Sequence, residues 1–155
     1  MTASDDLYYA ASARSDSQRK RMEELEAAGI CIFCPANVAE HQPEPVEFSG
    51  QHWYVVKNAY PYVGTAVHYL IVPHAHIRTF DELPDEAGSE LWAIKRKLKQ
   101  LIAPMATASV ERSGDMRYNG GSVAHYHVHF VVPQSFPSTP VRFRVSSHPA
   151  DSEDG

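Results

Sequence analysis

His125, His127 and His129 stand at alternate positions of an otherwise apolar run, His125-Tyr-His127-Val-His129-Phe-Val-Val-Pro133, and this run constrains the chain more than any other. In a β-strand, residues i, i+2 and i+4 share one face, with a rise of about 3.3 Å per residue. The pattern predicts a strand over 125–132 with three imidazoles in front and Tyr126, Val128 and Phe130 behind. Histidine titrates near neutrality, can act as a nucleophile and binds metals. The plainer readings are a half-buried strand whose polar face happens to be histidine, or a poly-histidine metal patch. Strict alternation of three argues against chance.

The rest of the chain limits what this strand can belong to. Its 155 residues, 43% of them hydrophobic, suffice for one compact domain and not for two sizeable ones. A formal net charge of −5 provides no global attraction for nucleic acid, so an anionic ligand must be held by a local site. No apolar stretch approaches the roughly 20 residues of a membrane span, and the opening Met1-Thr-Ala-Ser-Asp-Asp has no basic segment followed by an apolar one. The expectation is a soluble, cytoplasmic protein with neither nucleic acid nor membrane as partner.

Two cysteines stand in Cys31-Ile-Phe-Cys34-Pro35. In a reducing compartment this spacing suggests a metal knuckle or a redox pair more than a structural disulfide, whose short loop would constrain little of the unfolded chain. A thioredoxin-like site would want the motif at the start of a helix after a strand, whereas here it follows a charged helical run. Zinc would need two more ligands, and nine histidines supply candidates. A metal-free pair of reduced cysteines is the alternative.

Residues 1–14 are small and polar and are expected to be mobile, as is the tail over 146–155. Residues 15–145 then form the domain. Ser15 to Ala28 predicts a short surface helix, with Ser15 or Ser17 as cap and Gly29 as stop. Pro43 and Pro45 mark a loop. His52–Lys57 and Val67–Val72 have strand composition, joined by a turn over Asn58–Gly64. A long helix is predicted from Asp85 to Ile102, where Leu91, Ile94, Leu98 and Leu101 recur at helical spacing and the lysines form a solvated face. Asp115–Asn119 is a short strand candidate, Gly120-Gly121 a turn, and Val141–Val145 a further edge strand. The expected class is α+β: an antiparallel sheet of about five strands, one long helix and a short N-terminal helix.

His125-Tyr-His127-Val-His129-Phe-Val-Val resembles the signature of the histidine-triad superfamily. His68-Tyr-Leu-Ile-Val-Pro73-His-Ala-His76 is similar to that family's strand ending in a proline and a histidine-bearing turn. Asn58-Ala-Tyr-Pro-Tyr and Gly120-Gly-Ser122-Val-Ala resemble the segments before it and before the triad. The likeness covers roughly residues 30–133 and implies a histidine-triad-like fold, commonly a homodimer. It also implies nucleotide hydrolysis or nucleotidyl transfer at the α-phosphate of a nucleoside phosphoramidate or dinucleoside polyphosphate.

In that resemblance His127 attacks phosphorus and forms a nucleotidyl-histidine intermediate, a role neutral imidazole can fill at pH 7. His129 binds phosphate oxygen or helps protonate the leaving group, or makes a structural hydrogen bond only. Gly120 and Gly121 can bring backbone N–H groups near an oxyanion and Ser122 offers a hydroxyl, although a plain turn would use the same residues. Asn58 sits where the family contacts ribose but is also a favoured turn residue. His68 is a candidate for the site or for strand packing, and Asn119 a weaker candidate because the family spacing to the triad is only partly met. Zinc-containing members pair an early CxxC with a histidine past the proline and with the first triad histidine. Carried over, the ligands of a structural zinc are Cys31, Cys34, His76 and His125, with His74 the rival to His76. A nucleotide-binding regulatory module with little turnover is the other functional reading, and a metal-binding or interaction protein a third.

Overall fold

The structure, a computed structural model, describes residues 5–135 and 139–146. Its frame is one antiparallel sheet built from β1 (Val46–Ser49), β2 (Trp53–Lys57), β3 (Thr65–Pro73), β4 (Ala108–Glu111) and β5 (Val128–Pro133). The strands lie in the order β1-β2-β3-β5-β4. Alternation sorts their side chains onto two faces. Trp53, Val55, Ile71, Val128, Phe130 and Val132 pack on one side with Ala87, Ile94 and Leu98 of the long helix α3 (Asp85–Ile102). Here the Trp53 indole N–H also donates to the Ala87 carbonyl at 2.8 Å. Burial of side chains this size stabilises by about 1.5–3 kcal/mol each.

The other face of the sheet carries Tyr54, Val56, Leu70 and Val72 against Cys31, Phe33 and Val38. The register pairs Leu70 with His129 and His68 with Val131, so His68 and His129 are diagonal neighbours on this face. The segment over them begins with α1 (Asp16–Ala28), where Ser15 caps by accepting from the Gln18 amide and Gly29 terminates at φ 67°. Met22 and Leu25 of α1 are buried with Tyr8. The Tyr8 hydroxyl donates to the Ile30 carbonyl at 2.7 Å and accepts from the Ile32 amide at 2.9 Å. Residues 7–13 are thus packed onto the domain, contrary to the expectation for 1–14, because Tyr8 brings a large apolar side chain with a hydroxyl that finds backbone partners. Residues 1–4 and 147–155 of the two segments expected to be mobile lie outside the described residues.

The CxxC follows the charged helix α1, as expected, and leads into a further helix, α2 (Pro35–His41), with proline in its first turn. Three local expectations are corrected. Asp115–Asn119 is not a strand: Asp115 accepts from the Arg117 amide and starts the single turn α4 (Met116–Asn119), which ends at Gly120 with φ 80°. Val141–Val145 forms no strand despite its alternation, since it crosses the front of the sheet and the Arg144 carbonyl is taken by the Arg112 side chain. Finally, regular pairing of the triad strand starts at Val128, leaving His125 and His127 in the extended approach to it. Strands β1 and β4 escaped detection because both are exposed edges with little apolar pattern. Among the described residues no helix is long and apolar enough to cross a membrane.

Candidate active site and metal centre

Two centres meet at the histidine run. In the first, donor atoms of Cys31, Cys34, His76 and His125 all lie within 4.8 Å of one another. The His125 Nδ1 is 3.5 Å from Cys31 Sγ and 3.7 Å from Cys34 Sγ, and His76 Nδ1 is 3.2 Å from Cys34 Sγ. The Nε2 of His125 is 2.7 Å from the Pro73 carbonyl. A carbonyl only accepts, so Nε2 carries the proton and Nδ1 turns its lone pair to the two sulfurs. That outer hydrogen bond orients a metal-ligating histidine. Burial, with the Cys34 thiol alongside, pushes the Cys31 thiol up to about 12, a cost that a divalent cation would reverse. Two thiols and two imidazoles in this arrangement fit a closed tetrahedral ion. His74 is turned away: its Nε2 lies 3.0 Å from the Gly50 carbonyl and its ring packs on Tyr54.

The second centre opens into a cavity of about 1080 Å³ between the sheet, α1 and the segment 139–146. His127 lines it, with Nδ1 2.8 Å from the His125 carbonyl. The same reasoning puts the proton on Nδ1 and leaves Nε2 as an unprotonated lone pair. Burial, helped by the Arg112 cation, lowers the ring to about 4, so it is neutral at pH 7. Phe33 packs against both rings, 5.0 Å from His127 and 6.1 Å from His125 between centroids. It is the side chain that separates the two centres.

His129 belongs to a hydrogen-bond chain whose direction can be read. The Tyr62 amide donates to His68 Nδ1 at 3.1 Å, so neutral His68 must be protonated on Nε2. That proton is donated to His129 Nδ1 at 2.9 Å, which places the His129 proton on Nε2. Both rings are held neutral by burial, His68 at about 3 and His129 well below its ordinary value. His68 is thereby placed behind His129 rather than in the cavity lining.

The other predicted residues divide between lining and support. Asn58 lines the cavity, but its Oδ1 accepts from the Tyr60 amide at 2.9 Å and its Nδ2 approaches His68 Nε2 to 3.3 Å. Gly120 and Ser122 line it as well. Asn119 accepts from the Gly121 amide and donates to the Ser113 and Gly114 carbonyls, so its amide shapes the loop, and both Asn119 and Gly121 stand outside the lining. At Gly120, a Cβ would come within 2.7 Å of the Arg144 carbonyl oxygen.

Sequence reasoning missed the cavity's charge. Arg14, Arg19, Arg21, Arg112, Arg142 and Arg144 line it, and among the described residues no carboxylate does, although Arg19 and Arg21 pair with Asp16 and Glu24 outside the lining. Thus a chain of net charge −5 gathers positive charge locally around this cavity. It also missed Tyr62, which stacks on His129 at 5.3 Å, and Phe143, at 5.6 Å from the same ring. Arginines scattered from 14 to 144 have no spacing that announces convergence.

A family model described as "Scavenger mRNA decapping enzyme C-term binding", which is histidine-triad-like, matches residues 30–140. The chain belongs to that family, within the histidine-triad superfamily. Among solved structures, a member of the HIT family from Bacillus subtilis is 25% identical, with a TM-score of 0.53 over 69% of this chain and 74% of that one. A zinc-bound histidine-triad family protein from Mycobacterium smegmatis is 18% identical, with a TM-score of 0.56 over 76% and 84%. A protein from Leishmania major reaches a TM-score of 0.58 at 18% identity, over 80% of this chain and 88% of that one. No curated protein matches the chain. These likenesses bear out the α+β, histidine-triad-like fold with its five-stranded antiparallel sheet.

Proposed function

We propose that this histidine-triad protein is a nucleotide hydrolase or nucleotidyltransferase acting at an α-phosphate through a nucleotidyl-histidine intermediate on His127. The observation that carries the reading is the fixed tautomer: the His125 carbonyl holds the proton on Nδ1, and Nε2 is left as a lone pair in an arginine-lined cavity. In the first step Nε2 forms a bond to phosphorus while the leaving group departs with its bonding electrons. In the second, water or another acceptor attacks phosphorus, the N–P electron pair returns to Nε2, and the proton of the attacking group is released to solvent. The proton stays on Nδ1 throughout, donated to the His125 carbonyl, whose oxygen dipole offsets the positive charge the ring gains when bonded to phosphorus.

Ser122 and Gly120, which line the cavity, are assigned to the phosphate and leaving group, and Asn58 to the ribose; Gly121, whose amide donates to Asn119, is left to shape the loop. His129 donates from Nε2 to a phosphate oxygen, with His68 behind it fixing that proton. Zinc is proposed at Cys31, Cys34, His76 and His125. When bound it supplies a cross-link between the residue-31 segment and the triad and takes no part in the displacement. Its support is the donor set and its spacing. The reading includes a homodimer and a cytoplasmic location, the first checked by light scattering and the second by fractionation.

The deciding experiment compares wild type and His127→Ala on diadenosine triphosphate and adenosine 5′-phosphoramidate, with guanosine counterparts and a capped dinucleotide. Release of nucleoside monophosphate by wild type, reduced about 10⁴-fold or more in the variant, is expected for loss of a nucleophile. Unchanged turnover would defeat the reading. Tight nucleotide binding with neither turnover nor covalent adduct would make the protein a binding module instead.

A further inference from the structure

We propose that Arg112 is a catalytic residue, contacting an oxygen of the phosphate attacked by His127, and that Phe143 and Arg144 hold it there. The proposal rests on the nucleotidyl-histidine reading and adds to it a residue that the triad motif does not contain. Phe143 and Arg144 also lie beyond residues 30–140, where the family match ends.

The Arg112 guanidinium is fixed on three sides. Its Nε and Nη2 donate to the Arg144 carbonyl at 3.1 and 2.7 Å. Its Cζ stands 3.8 Å from the centroid of the Phe143 ring, a cation-on-ring contact that sets the plane of the group. Nη1 reaches the Tyr62 hydroxyl at 3.3 Å. Among the described residues no carboxylate lies within ion-pair distance of Arg112. Among those residues the charge is therefore held in place by a carbonyl, a hydroxyl and a ring and by no carboxylate.

What Nη1 faces is the informative contact. It lies 3.5 Å from His129 Nε2. The Tyr62 amide and the His68 bridge place a proton on that nitrogen, so two N–H donors confront each other across a gap that only an acceptor can satisfy. The His127 ring is 4.9 Å from the His129 ring between centroids, which puts the gap beside the nucleophile. A phosphoryl oxygen in that position would accept from both. As His127 Nε2 bonds to phosphorus and the leaving group departs with its electron pair, negative charge on the phosphoryl oxygens is stabilised by a cation already in place. Arg112 gives up no proton, since guanidinium stays charged at any working pH. Lysine could supply charge but not the planar fork that grips one carbonyl with two N–H groups while aiming a third elsewhere.

The test uses the full chain with diadenosine triphosphate as substrate and adenosine monophosphate as the binding probe. Arg112→Ala should lower kcat by about 10² to 10³, the range for losing one preorganised donor to a reacting oxyanion. Its melting temperature should stay close to wild type, and added guanidinium at millimolar concentration should restore part of kcat in Arg112→Ala but none in His127→Ala. Arg112→Lys should remain well below wild type, which decides the matter if the alanine variant folds poorly. Phe143→Leu, at a positioning residue, should lower kcat by about tenfold with adenosine monophosphate affinity unchanged, the split expected when only the aim of a transition-state donor is spoiled. Wild-type turnover retained within threefold in both Arg112 variants overturns this proposal and leaves the nucleophile assignment standing. So does a loss confined to KM, or one that guanidinium cannot restore. Absence of turnover in wild type overturns the reading beneath it, and this one with it.

Discussion

His125 and His127 are two residues apart, and each has one ring nitrogen on a backbone carbonyl, yet the nitrogens are opposite. His125 uses Nε2 on the Pro73 carbonyl and presents Nδ1 to two sulfurs; His127 uses Nδ1 on the His125 carbonyl and presents Nε2 to a cavity. One device, a carbonyl that can only accept, leaves one imidazole with Nδ1 free toward the sulfurs and the next with Nε2 free toward the cavity, the arrangement that the proposed ligand and nucleophile roles require. The strand's alternation puts both residues in one row, but the choice of nitrogen decides the chemistry. His129 shows a third state, with Nδ1 accepting from His68 and Nε2 left as a donor. Three identical side chains thus offer a lone pair toward two sulfurs, a lone pair toward a cavity and a hydrogen-bond donor.

The sharpest way to break this division is to exchange the residues' fates. His127→Asn should abolish turnover, by about 10⁴-fold or more, while metal content and melting temperature stay near wild type. Loss of metal in that variant, measured by elemental analysis, would show the two centres are not separable. His125→Asn should do the reverse first. Metal stoichiometry should fall from one ion per chain toward zero, stability should drop by about 3 kcal/mol or more, and turnover should fall as a consequence, because the proposed ion would tie residue 31 to the triad. Retention of a full ion would remove His125 from the ligand set.

The hydrophobic face behind the triad provides a control of similar size that touches neither centre. Trp53→Ala should cost about 3–5 kcal/mol in denaturant unfolding, by emptying the space over Ala87 and removing the indole donor to its carbonyl, with metal stoichiometry preserved in the folded fraction.

A smaller effect distinguishes the neutral histidine pair from exposed ones. His68 is depressed to about 3 by burial, against an unfolded value near 6.5. For a group whose folded value is lowered, the stabilising contribution is complete above the unfolded value and is lost as pH falls toward the folded one. Between pH 6.5 and 3 the unfolded chain binds the proton that the native chain refuses. Stability should therefore fall by about 2 kcal/mol between pH 7 and pH 5 from His68 alone, read as a shift in the denaturant midpoint. His68→Asn should flatten that slope, and an unaltered slope would show that this ring does not carry it. Smallest of all, Asn119→Ala should destabilise by about 1–2 kcal/mol through its loop hydrogen bonds while changing KM by less than threefold, in contrast to Asn58→Ala, which should raise KM. Equal effects on KM would return Asn119 to the substrate side.

Much of this was legible before any coordinates. Helices over 16–28 and 85–102 follow from a serine cap, a glycine stop and apolar recurrence, signals that act within a few residues. Strands β2, β3 and β5 announce themselves by composition, and the triad itself by its period. The edge strands β1 and β4 did not, because their side chains are mostly exposed and no alternation is imposed on them. Val141–Val145 carried a strand's alternation without a partner to pair with, since periodicity states which residues share a face but not whether a neighbouring strand exists.

The sequence by itself determined which side chains were available: three histidines in a row, two cysteines three apart, and a proline-ended strand with two rival histidines after it. Tertiary structure decided what each one does. It turned His74 toward Gly50 and brought His76 to the sulfurs. It also chose the free nitrogen of each triad ring, and it assembled six arginines from opposite ends of the chain around one cavity. The physical reason is that tautomer and local charge are set by which backbone carbonyls, amides and cations arrive from distant segments. The alternation of the histidines placed them in one row, and their hydrogen bonds set which nitrogen each ring presents, with or without a proton.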